Sequence, residues 1–79
     1  MKITAKIARG PEKGTVLEPH RYGHGKYIVS KTRFKQDQIP VDYGEIPSQM
    51  ERGLKVRMSD PVTRKGPRLI RPSSITVTY

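Results

Sequence analysis

Apolar and polar residues alternate in short runs along this chain. Residues 2–8 place Ile3, Ala5 and Ile7 on one side and Lys2, Thr4 and Lys6 on the other, the period of a half-buried strand. Arg9-Gly10-Pro11-Glu12-Lys13-Gly14 reads as a turn, with two glycines bracketing a proline. A short strand at 15–18 follows and is closed by Pro19. Residues 20–25 have the glycine chemistry of a hairpin loop, and 26–30 form a strand rich in aromatic and β-branched residues. Ile39-Pro40-Val41 and Tyr43-Gly44 read as irregular or edge structure. Residues 47–52 fit one short helix, with Pro47 at its first position and Gly53 as the left-handed residue just past its end. Alternation is clearest at 54–58, where Leu54, Val56 and Met58 oppose Lys55 and Arg57. Short extended pieces at 68–71 and 75–79 complete the pattern. The expectation is one mainly β domain over 1–79: a small barrel or rolled antiparallel sheet of five to six short strands, with at most one helix.

Length and composition narrow the function classes. A 79-residue chain holds one core, and only 33% of it is apolar. A chain of this size buries only roughly 60% of its unfolded surface, which argues against a deep enzyme pocket. Without cysteine there is no disulfide framework, cysteine zinc site or thiol chemistry. No apolar run reaches the ~20 residues needed to cross a bilayer, and the first residues lack a signal-peptide core, so the sequence reads as cytoplasmic. Sixteen Lys and Arg against seven acids give a net charge of +9. That charge is unevenly distributed: residues 36–51 contain four acids and no Lys or Arg.

Candidate chemistry is sparse apart from the bases. His20 and His24 are four residues apart, but Pro19, Gly23 and Gly25 oppose a helix there, so loop histidines are expected and no metal site. Gly23-x-Gly25 lacks the third glycine of a dinucleotide loop and runs into a strand. Asp42 and Glu45 lie in a Gly- and Pro-flanked segment that gives no reason to position them for acid–base work. No cofactor is implied, and no enzyme activity is expected. The bases form three groups. Lys31, Arg33 and Lys35 recur at every second position and would share one face of an extended chain. Lys55 and Arg57 face away from the apolar side of their strand, and Arg64, Lys65, Arg68 and Arg71 cluster around Gly66-Pro67. Among the aromatics, Tyr27 and Phe34 are expected in the core and Tyr22 at the surface, where it could touch a partner.

Two resemblances add a setting. Lys6-Ile7-Ala8-Arg9-Gly10-Pro11-Glu12-Lys13-Gly14-Thr15-Val16 resembles the KOW motif, a basic glycine-containing turn between two strands of SH3-like barrels. That resemblance implies an SH3-like barrel and a link to RNA or transcription. Tyr27 to Phe34, Gly53 to Ser59 and Leu69 to Ile75 resemble small uncharacterised proteins of bacterial phages and mobile elements. Such elements encode inhibitors of host defence, anti-CRISPR proteins among them.

Two functions remain open on this reading. One is a non-enzymatic basic module that binds nucleic acid or a nucleoprotein complex through these bases and Tyr22. The other is a phage or mobile-element inhibitor whose basic surface docks on an acidic face of a host protein complex.

Overall fold

Leu54, Val56 and Met58 are buried while Lys55, Arg57 and Ser59 are only partly covered, so the alternation in the sequence is the burial pattern of a strand. The computed structural model describes residues 2–63 and 67–78. Seven strands lie in these residues: β1 (Thr4–Ile7), β2 (Val16–Pro19), β3 (Tyr27–Ser30), β4 (Gln38–Val41), β5 (Lys55–Ser59), β6 (Arg68–Ile70) and β7 (Ile75–Thr78). One α-helix, α1 (Ile46–Glu51), precedes β5.

All recorded pairings are antiparallel and belong to one open sheet, in the order β4-β3-β5-β2-β1-β7, with β6 also on β5. The fold is thus mainly β, as the alternation indicates, and the sheet is open. The seventh strand is β4, from the segment expected to be irregular or edge structure. It is an edge, with Pro40 opposite Ile28. Proline lacks the N–H that a central strand needs, so an edge is where it can be accommodated.

The sheet curls because β2 serves two partners. Its first half pairs with β1 (Leu17 opposite Ala5), and its second half pairs with β5 (Pro19 opposite Met58). A flat sheet is one layer thick, about 10 Å. The molecule measures 29 × 23 × 22 Å, so its two halves must lie over one another with the core between them. That core contains Ile3, Ala5, Leu17, Val29, Val41, Ile46, Met50, Leu54, Val56, Met58 and Ile75. Tyr27 packs against it, and Tyr43 accepts a hydrogen bond at Oη from the Ile3 N–H. Phe34, also expected in the core, is 65% exposed.

Helix α1 starts and stops one residue earlier than the expected 47–52 segment, but the same two residues mark its ends. Pro47 occupies its first turn, where a missing N–H costs nothing. Past its end, Gly53 has φ +84° and donates its N–H to the Met50 carbonyl (2.9 Å), while Leu54 donates to Gln49 (3.1 Å). These two bonds form the Schellman closure, and they turn the chain so that Leu54 enters the core.

Two substitutions test this account. Gly53→Ala meets no clash, so its cost is the left-handed backbone alone, about 1–2 kcal/mol. In a domain of this size, that corresponds to a Tm lower by roughly 4–16 °C. Val56 has 0% exposure, and Val56→Asp buries a carboxylate without a partner. A domain of this length has roughly 4–12 kcal/mol to lose, so this variant should show no cooperative melt by circular dichroism.

Candidate functional site

The pleat that sends Val56 inward sends Lys55 and Arg57 outward. Around them the fold gathers residues from four segments. Arg33, Gln38, Lys55, Arg57, Pro67, Arg68, Leu69 and Arg71 line one open depression of about 570 Å³. Leu69 sits opposite Arg57 in the β5–β6 register and therefore shares its outward face. The result is an open depression in which Leu69 and Pro67 lie among five cations.

Hydrogen bonds within the segment after β3 place Arg33. The Ser30 hydroxyl, fully buried, donates to the Thr32 carbonyl at 2.7 Å. Thr32 Oγ1 accepts from the Phe34 N–H (3.1 Å) and donates to the Asp37 carboxylate. A single 3-10 turn at Lys35–Asp37 follows. Lys31, Arg33 and Lys35 therefore lie on a bend and a turn, not on an extended face, because local side-chain bonds outcompete the ladder here. All three are exposed, but of them only Arg33 lines the depression. The Lys31 backbone contributes differently, accepting a 3.4 Å hydrogen bond from Lys55 Nζ.

A polar stack sets the position of Arg57. Its guanidinium lies 5.9 Å from the Tyr22 ring centroid, close enough for a cation–π contact. Tyr22 meets His20 edge to face at 4.8 Å, and His20 Nδ1 is 3.0 Å from Ser59 Oγ. His24, with φ +64°, and Gly25, with φ +70°, turn the chain so that the Tyr22 N–H reaches the Lys26 carbonyl at 2.8 Å. Tyr22 is thus half-buried, not the open surface aromatic expected, and its ring contacts are with His20 and Arg57. His20 is half-buried too, whereas His24 is exposed. Among the described residues, no three potential ligands gather to hold a metal. Tyr22 Oη and Arg57 Nε are buried without a hydrogen-bond partner.

Charge pairing divides the bases. Lys2 pairs with Glu18 (3.6 Å), Lys26 with Asp42 (2.6 Å) and Arg68 with Glu12. The last pair is two-pronged, with Arg68 Nη1 also 3.3 Å from Glu12 Oε1. It joins β6 to the turn before β2, a link across 56 positions that no local sequence signal announces. Arg33, Lys55, Arg57 and Arg71 have no carboxylate partner among the described residues. Arg64 and Lys65 lie outside the described residues. No helix in the described residues is long and apolar enough to cross a membrane. Comparisons with protein-family models, curated proteins and solved structures return no match for this chain.

The Glu12–Arg68 pair gives a pH test. The hydrogen bond from Arg68, and then its charge, hold the Glu12 carboxyl below its usual range, and the same bond raises Arg68. With a depressed folded pKa, the pair's contribution is present above the ordinary carboxylate pKa and is lost as pH falls through the folded value. An NMR titration of the Glu12 side chain should find a midpoint below that of an unperturbed glutamate. In Arg68→Gln the midpoint should return to the ordinary value, with little change in Tm at neutral pH because the pair is solvent-screened.

Proposed function

We propose that this domain is a non-enzymatic binding module that engages nucleic acid, alone or within a nucleoprotein, through Arg33, Lys55, Arg57 and Arg71. The observation that carries this reading is the convergence of those four cations, each without a carboxylate partner among the described residues, on one open depression. Cations on an open surface displace counterions from a phosphate backbone, which supplies affinity without sequence discrimination. Net charge speaks to association and not to fold, and an excess of +9 supports the same partner. Glu12 trims this field by pairing with Arg68, which also lines the depression.

Salt dependence and charge reversal test the proposal together. If four phosphates are neutralised, log affinity against log salt should fall with a slope of about −3 to −4. Lys55→Glu combined with Arg71→Glu spares the Tyr22–Arg57 contact and every core position. This double variant should melt within a few degrees of the parent and lose most of its binding in fluorescence anisotropy. Glu12→Gln should act in the opposite sense, freeing Arg68, tightening binding and steepening the slope by about 1. A protein that binds neither DNA nor RNA at low salt would refute the proposal. The site would then fit an acidic protein surface, as a phage or mobile-element inhibitor of the anti-CRISPR kind would use it.

A further inference from the structure

The chain contains one phenylalanine, and the fold leaves it in solvent. Phe34 is 65% exposed in a protein with few large apolar groups available to its core. Its backbone is not loose. The Phe34 N–H is bonded to Thr32 Oγ1, its carbonyl accepts from the Asp37 N–H at 3.1 Å, and Thr32 is itself tied to Asp37. Phe34 also follows Arg33 directly, so their Cα atoms are about 3.8 Å apart. Phe34 does not itself line the basic depression, but the residue before it, Arg33, does, so the exposed aromatic lies one residue along the chain from the depression's edge.

The depression itself has apolar surface. Leu69 and Pro67 form part of its surface among Arg33, Lys55, Arg57 and Arg71. Duplex phosphates have no use for apolar surface, whereas unpaired bases have faces to lay on it. Among the described residues, no helix is suited to a major groove. Helix α1 has six residues, and its only ionisable side chain is Glu51.

Resting on the nucleic-acid reading above, we infer that the site takes single-stranded nucleic acid, with its backbone along the four cations and a base stacked on Phe34. Stacking on an exposed ring is tolerant of sequence, which matches a surface whose other contacts are charges. The hydrogen-bonded segment around Thr32 fixes the Phe34 backbone before binding, which reduces the ordering cost of capture.

Fluorescence anisotropy with a labelled single strand of about a dozen nucleotides, and with the duplex of the same length, tests this. The single strand should bind at least about tenfold more tightly than the duplex. Phe34→Ala should weaken single-strand binding by about tenfold and leave the melting temperature, duplex affinity and salt slope unchanged. Phe34→Trp should retain or improve single-strand binding. Equal affinity for both forms, with Phe34→Ala indistinguishable from the parent, overturns the inference. If binding is still abolished by Lys55→Glu with Arg71→Glu, the broader function stands. Binding to neither form overturns both.

Discussion

Val56 is paired on both edges of its strand, with Val29 of β3 on one side and Ile70 of β6 on the other. Met58 is bracketed in the same way by Pro19 and Arg68. This double pairing is the constraint on which the domain depends. A one-residue slip of β5 would exchange Leu54, Val56 and Met58 for Lys55, Arg57 and Ser59 in the core, a cost a small core cannot absorb. The register that buries three apolar side chains therefore also sets Lys55 and Arg57 on the outer face. Their positions inherit the rigidity of the best-packed strand, which is what a preorganised binding surface requires.

An open sheet leaves edges, and the molecule treats them according to position. Edge strand β4 carries Pro40, which removes a donor, and β6 is only three residues long. Net charge of +9 adds mutual repulsion between copies. The same excess is a liability for compactness, and ion pairs offset it locally: Lys26 with Asp42 near the acidic segment, and Arg68 with Glu12 across the sheet. Arg33, Lys55, Arg57 and Arg71 are left without such a partner among the described residues.

Local signals in the sequence were legible because local physics decides them. Pro47 and Gly53 bound the helix by the donor that proline lacks and the φ that glycine tolerates. Strict alternation at 54–58 reads directly as inward and outward faces. The strand β4 was less legible, since its short run and proline resemble a loop until β3 supplies a partner. Alternation misled at 31–35, where Thr32 bonds to Phe34 and Asp37 and replaces a strand with a bend. The exposure of Phe34 follows from that bend and reverses the ordinary expectation for an aromatic residue. Within the site, the outward placement of Lys55 and Arg57 was readable. The meeting of Arg33 and Arg71 with them was not, because it depends on tertiary pairing between β3, β5 and β6.

The central claim is that one outward face of β5, with the segments beside it, is the binding surface, while its inward face serves stability alone. A proton–nitrogen NMR titration with a short single-stranded oligonucleotide addresses it most directly. The account expects progressive shifts at the amides of Arg33, Phe34, Lys55, Arg57, Leu69 and Arg71, with Ile3, Leu17 and Ile75 in the core unmoved. Shifts centred instead on the acidic segment and α1, or none at the β5 amides under saturating ligand, would contradict it.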